Sequence, residues 1–220
     1  MTDSKKKKNI LELELCKNDN MYFEKELYKE GISLVAGVDE VGRGPLVGPV
    51  VAACVILPKN LKIEGLTDSK KLSEKKRNYY YNYIKEHAIA YSITEISNDI
   101  IDEINIYEAT KKAMINAINS MKVSPEHILI DAMKLDIDIP TTSIIKGDLK
   151  SQTIAAASVL AKVYRDNIMY ELDKKYPYYN YKSNKGYPTK EHIEKINEYG
   201  INSLYRKSYS PVKDYFDTHK

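Results

Sequence analysis

Read from Leu34 onward, the chain changes hydrophobic rhythm many times. "SLVAGVD" and "GPVVAACVIL" are short apolar runs with the β-branched bias of buried strands. "EVGRGPLV" separates them, so a hairpin fits, with Pro45 and Pro49 near the turn or at strand starts. After the loop "PKNLKIEGLTDSKKLS", Ser73 is a helix cap for a segment running to about His87. "AIAYSITEI" then alternates, with Ile89, Tyr91 and Ile93 on one face, as a strand does. Ser97 caps the next helical stretch, where Tyr107, Met114, Ile118 and Met121 share one face. "HILID" and "TTSIIKG" read as two short strands.

The strongest helix is "KSQTIAAASVLAKVYRDNIMYELDKKY". Its stripe runs through Ile154, Ala157, Ala161, Tyr164, Ile168 and Leu172, and its alanines permit close packing on a sheet. From Pro177 the chain is tyrosine-rich, with a helix expected over Thr189 to Tyr199. Before all this, residues 1–8 read as a disordered tail. The stretch "ILELELCKNDNMYFEKELYKEG" reads as helical or mixed, with Phe23 and Leu27 one turn apart and Gly31 as a stop. The order of elements predicts an α/β protein with a mixed sheet and helices on its faces. We divide it into an N-terminal tail and helical extension (1–30), a catalytic domain (31–175), and a C-terminal helical extension packed on that domain (176–220).

Composition narrows this only a little. A chain of 220 residues that is 43% hydrophobic and 30% charged suits one soluble core. No apolar run reaches the roughly 18 residues of a membrane span, and no signal peptide is visible, so a cytoplasmic protein is expected. Cys16 and Cys54 are far apart and form no metal or disulfide pattern. The net charge of +3 hints at a nucleic-acid partner. A Lys-, Ile-, Asn- and Tyr-rich coding bias explains it equally well. The run Lys5–Lys8 reads as part of the solvated tail.

Candidate chemistry begins in "AGVDEVGRGPLVGPVVAA". Asp39 and Glu40 sit in apolar, glycine-rich surroundings, where charge is expensive unless paired. Asp131 ends "ILID", and Asp166 lies off the stripe of the long helix. Acids at the ends of buried strands point to a cleft beyond the sheet edge. Several such acids cannot all ionise without a cation, and an oxygen-only donor set suits Mg²⁺ or Mn²⁺. Each acid alone also has a plain reading. A strand-end acid is often a turn or cap residue, and Asp166 can pair with Lys162 or Arg165. Asp68, Asp136, Asp138 and Asp148 read as turn or loop acids. Neighbouring strand residues point to opposite faces. Glu40 therefore reaches Asp39's cleft only if the strand ends or bulges there, or if it acts through its carbonyl or a water. Gly42 and Gly44 do not complete a dinucleotide fingerprint, and Gly37 and Gly42 do not complete a phosphate loop. What remains is Arg43, a fork of donors between small neighbours.

"GVDEVGRGPLVGPVVAACVIL" closely resembles the opening of the ribonuclease HII family. "LTDSKKLSEKKR", "LID", "KGDLKSQTIAAASVLAKVYRD" and "NKGYPTKEH" follow in the family's order. The resemblance spans about residues 34–212. It implies a ribonuclease H-like fold with a mixed five-stranded sheet and a C-terminal helical extension. It implies endonucleolytic cutting of RNA in RNA–DNA hybrids, and cutting 5′ of single ribonucleotides in duplex DNA to leave 3′-hydroxyl and 5′-phosphate ends. By motif, Asp39, Glu40, Asp131 and Asp166 are similar to the metal-binding catalytic acids, with two Mg²⁺ or Mn²⁺ ions expected alongside substrate. Gly42, Arg43 and Gly44 match the segment that contacts the 2′-hydroxyl region, and Tyr187 matches the tyrosine that stacks on a sugar. Ser69, Lys70, Lys71 and Lys146 lie in segments that meet the phosphate backbone. The family usually carries a stretch like HRRSF near its end. Here it is "YRKSY", with Tyr205 for the histidine and Tyr209 for the phenylalanine. A monomer is the default expectation. The competing expectations are a silent hybrid-binding module and another nuclease or recombinase on the same fold.

Overall fold

The computed structural model describes residues 19–218, with no side-chain description beyond 215. Lys5–Lys8, Cys16 and the earlier part of the N-terminal stretch lie outside the described residues. Five strands form one mixed sheet: β1 (Val35–Val41), β2 (Val50–Ile56), β3 (Ala90–Ile96), β4 (His127–Asp131) and β5 (Thr141–Ile144), in the order β3-β2-β1-β4-β5. β1, β2 and β3 pair antiparallel, with the expected hairpin, while β4 and β5 join parallel to β1.

Both faces of the central strands are covered, which is why they read as continuous apolar runs. One face carries Ala36, Val38, Val50, Ala52, Cys54 and Ile56 against Ala109, Ala113, Met114, Ala117 and Ile118. These last five belong to the helix Asn98–Asn119, which follows the capped helix Glu74–His87. With the short helix Tyr22–Lys29 as α1, these are α2 (Glu74–His87) and α3 (Asn98–Asn119). Ser73 and Ser97 cap them as expected, each accepting a backbone N–H. Tyr107 departs from the expected stripe and is 48% exposed. α3 breaks at Asn105, whose φ is 68°, and Asn105 Oδ1 caps the restarted helix through the Tyr107 and Glu108 amides. The buried face after the break is made by Ala109, Ala113, Met114, Ala117 and Ile118, and Tyr107 stays outside it beneath Lys111.

The other face carries Val51, Ala53 and Val55 against α4 (Gln152–Lys175) and α2. α4 lies so close to β1 that a Cβ at Gly37 would collide with the Thr153 backbone. Ser151 caps α4 through the Ile154 amide. A second cap comes from α1. Buried Glu24 accepts from Ser151 Oγ (2.7 Å), the Thr153 amide (2.9 Å) and Thr153 Oγ1 (2.8 Å). This gives part of the N-terminal segment a role that its sequence left open. Burial pushes the Glu24 carboxyl above its ordinary range, against these donors.

The C-terminal segment, with α5 (Tyr181–Asn184), α6 (Lys190–Tyr199) and α7 (Val212–Thr218), builds a further apolar cluster. Leu46, Val47, Met169, Tyr179, Tyr181, Ile196, Tyr205 and Val212 pack together there. Cys54 is buried in β2, and its burial raises the thiol pKa to about 12, as suits an idle thiol. Among the described residues no helix is long and apolar enough to cross a membrane.

Candidate active site

β1 and β4 run parallel as neighbours, so their C-terminal ends open on the same edge of the sheet. Val38 pairs with Ile130, and the next residues along are Asp39 and Asp131. Asp39 faces α4, as Gly37 does. It takes a hydrogen bond from Ser158 and accepts the Glu40 amide at 2.8 Å. Asp131 accepts the Gly147 amide at 2.6 Å.

The strand neither ends nor bulges at Glu40. The ladder continues evenly through Asp39–Ala53, Glu40–Ala52 and Val41–Val51. Glu40 therefore leaves the sheet on the face opposite Asp39. The first two routes considered for it are thereby removed. Its Oε1 lies 3.6 Å from Arg43 Nη1.

These three acids repel one another. Burial first, then the charges of Glu40 and Asp131, push the Asp39 carboxyl well above its ordinary range. Burial also raises Glu40, opposed by Arg43 and reinforced by Asp131. Asp131 is raised by burial, against the Gly147 amide. Asp148, read as a loop acid, belongs to the same neighbourhood. Burial, then the charges of Asp68 and Asp131, lift it to about 6. Asp68 is a cap, as expected, and accepts the Lys70 amide at 2.8 Å.

Asp166 is buried, although it stands off the apolar stripe. Lys162 Nζ bonds it at 2.7 Å, and Arg77 Nη2 stands 3.9 Å away. The pairing with Lys162 is the plain reading considered for it. Arg165 does not take part and turns to backbone carbonyls instead. Asp166 follows Ser158 by two helical turns, roughly 12 Å along the axis. Arg77 donates to Ser69 O and Leu72 O, and Ser69 Oγ bonds Ser158 Oγ at 2.9 Å. A polar relay thus runs from Asp166 through Arg77, Ser69 and Ser158 to Asp39.

Ser69 is consequently buried rather than displayed. Lys70, Lys71 and Lys146 are exposed, the last in a left-handed conformation beside Gly147. Burial alone would lower the Lys70 pKa, but the charges of Asp68, Asp39 and Asp148 raise it. Arg43 and Tyr187 are half exposed, and Gly44 lies against the Tyr187 ring. Gly42 has a φ of 94°, and a Cβ there would collide with the Arg165 guanidinium.

Buried, mutually repelling carboxylates with no thiol among them fit hard divalent cations. Among the described residues, no three acid, histidine or cysteine side chains already stand at metal-ligand spacing. Reasoning from sequence missed the supporting residues Ser158, Arg77 and Arg206. Ser158 alone carried a signal, as a polar position in the alanine run two turns before Asp166.

The family model described as Ribonuclease HII matches residues 36–216. A protein of Bacillus cytotoxicus named Ribonuclease HII is 55% identical over 192 residues, covering 87% of this chain and 74% of that protein. A homologue of the same name from Bacillus mycoides is 55% identical over 192 residues. Among solved structures, the ribonuclease H2 of Pyrococcus horikoshii has a TM-score of 0.73 at 26% identity, covering 84% of this chain and 97% of that one. A Bst-RNase HIII crystallised in complex with Mn²⁺ shares the fold, with a TM-score of 0.63 at 17% identity, covering 86% of this chain and 70% of that one.

Proposed function

Since the chain belongs to the ribonuclease HII family, and is thereby a metal-dependent endoribonuclease acting on the RNA strand of RNA–DNA hybrids, we propose that it also cuts 5′ of single ribonucleotides embedded in duplex DNA. The products have 3′-hydroxyl and 5′-phosphate ends, and the protein works as a cytoplasmic monomer. The observation that carries this reading is one of placement. Desolvated Asp39 and Glu40 sit near the end of β1, just before Arg43 and Gly44, and Gly44 lies against the Tyr187 ring.

Asp39, Glu40, Asp131 and Asp166 would hold two Mg²⁺ or Mn²⁺ ions. Such ions supply an activated water and stabilisation of the leaving oxygen. The protein's own groups do the rest. Among the described residues, the Arg43 and Gly44 amides donate to no protein acceptor, which leaves both for a ligand. The 2′-hydroxyl is the group that marks a ribonucleotide in DNA, and it accepts as well as donates. The Tyr187 ring, in contact with Gly44, supports the adjoining sugar. Lys70, Lys71 and Lys146 meet phosphates as mobile cations. Glu40, on the far face of β1, acts through its carbonyl or a water.

A duplex carrying one ribonucleotide, incubated with Mg²⁺ or Mn²⁺, tests the reading. We expect one cut on the 5′ side of that nucleotide, and its loss in Asp39→Asn. Binding without turnover at saturating metal would make the chain a hybrid-binding module. Equal cutting of an all-DNA duplex would make it a general nuclease.

A further inference from the structure

Two arginines are fully buried, Arg165 and Arg206, and both serve the segment Gly42–Pro49. Burying a guanidinium is costly unless its donors are satisfied. Among the described residues neither arginine forms an ion pair with a carboxylate. Backbone carbonyls take that place. Arg165 donates to Pro49 O (3.1 Å), Val47 O (3.0 Å) and Lys185 O (3.0 Å), which ties the segment to the approach to Tyr187.

Arg206 uses all five of its N–H donors. They go to Gly48 O from Nε (3.0 Å) and Nη2 (2.8 Å), to Gly42 O (2.6 Å), to Arg43 O (3.0 Å) and to the Tyr209 hydroxyl (3.2 Å). The Tyr209 hydroxyl in turn donates to Arg43 O at 2.7 Å. The Arg43 carbonyl is therefore held from two sides by the C-terminal strap. The strap is itself anchored, because Asp102 on α3 accepts the Lys207 and Ser208 amides at 2.8 and 2.9 Å. It also bonds the segment directly, Arg206 N to Leu46 O and Gly48 N to Leu204 O.

A peptide unit whose carbonyl is drawn inward presents its N–H on the opposite side. The inward-drawn carbonyls of Gly42 and Arg43 belong to the same peptide units as the Arg43 and Gly44 amides, which meet no protein acceptor. We infer that Arg206 and Tyr209 are positioning residues for substrate choice. They hold the Gly42 and Arg43 carbonyls inward so that the two amides are preset to meet a single 2′-hydroxyl. This rests on the reading of Gly42–Gly44 as the ribose contact. Where the family usually carries a phenylalanine, which has no such donor, this chain carries Tyr209.

The role makes a distinction between substrates. In a long hybrid every nucleotide offers a 2′-hydroxyl, so a loosened segment still finds one after a one-nucleotide slip. At a single embedded ribonucleotide only one placement works. A residue with a general structural role lowers both activities together. A positioning residue lowers the ratio between them.

The experiment measures kcat and KM on a duplex with one ribonucleotide, on its all-DNA counterpart and on a long RNA–DNA hybrid, for the unmodified protein, Tyr209→Phe and Arg206→Lys, with thermal unfolding of each. For Tyr209→Phe we expect an unfolding temperature lowered by only about 2–4 °C, the cost of the lost hydroxyl bonds. We also expect roughly a fivefold loss of kcat at the single ribonucleotide, the weight of one hydrogen bond, with hybrid cleavage within twofold. A lysine cannot span the same carbonyls. Arg206→Lys therefore loses about a hundredfold at the single ribonucleotide, as a displacement near 1 Å does, and far less on the hybrid. Where Arg206→Lys folds poorly, Tyr209→Phe carries the test, since the ring stays. Equal losses on both ribonucleotide-containing substrates, or none, with the all-DNA duplex left uncut by the unmodified protein, would overturn the positioning role and leave the ribose contact standing. Equal cutting of the all-DNA duplex by the unmodified protein would overturn the ribose contact and this inference with it.

Discussion

The acids at the sheet edge and the arginines beneath the glycine segment are both buried charges, and they are treated in opposite ways. Asp39, Glu40 and Asp131 are like charges crowded together, and their carboxyls are held above their ordinary range. Arg206 has a carbonyl or hydroxyl for every donor. The first region stays electrostatically unfinished until a cation arrives. The second is finished within the protein and stiffens what it touches. Buried charge thus binds ligand in one place and fixes backbone in the other, and the difference lies in whether the protein supplies the partner.

This comparison is best broken first at Asp39. Asp39→Asn should lower cleavage a thousandfold or more, roughly 4 kcal/mol of barrier. The same change should raise the unfolding temperature of the metal-free protein, because it removes a repelling charge. A fall in stability would show that Asp39 is already paired.

The opposite sign is expected on the other side. Arg165→Met leaves the Pro49, Val47 and Lys185 carbonyls without their donor. Chemical denaturation should then show a loss of about 3–5 kcal/mol.

A third test is pH. Asp148 binds its proton more tightly in the folded chain than in the unfolded one, at about 6 against an ordinary 3.8. The stability this contributes is full below 3.8 and is lost as pH rises through about 6. The raised Asp39, Glu40 and Asp131 act in the same direction. Unfolding temperatures of the metal-free protein should therefore fall from pH 4 towards pH 7, and added Mg²⁺ or Mn²⁺ should restore part of the loss. A rise over that interval would contradict the acid side of the comparison.

The smallest effect is expected at Tyr205. Its hydroxyl bonds His192 Nε2 at 2.9 Å, and Nδ1 of the same ring meets Tyr187 O at 2.8 Å. Tyr205→Phe should lose about 1 kcal/mol in thermal or denaturant melts. Cleavage of hybrids should remain close to that of the unmodified protein.

Much of this was legible in the chain. Ser73 and Ser97 mark helix starts by a local rule, a side-chain oxygen accepting an early amide. The strands were legible because burial on both faces writes itself as apolar runs. Strand-end acids pointed to a cleft beyond the sheet edge. Tyr107 was misplaced because one left-handed residue, Asn105, interrupts the helix, and periodicity does not register a single dihedral. Asp148 looked like any loop acid until the fold set it near Asp68 and Asp131.

By itself, the sequence determined the order and type of the five strands and the longer helices, the family motifs and the list of candidate acids, because these depend on neighbours within a turn or a strand pair. Only the tertiary structure decided that Glu40 stays in a regular ladder, that Glu24 caps a helix 129 residues away, and that Arg206 holds Gly42 across 164 residues. Those contacts depend on which surfaces meet after the sheet and helices pack. Hydrophobic periodicity sets which face is buried, but not which charged side chain lies opposite a given carbonyl.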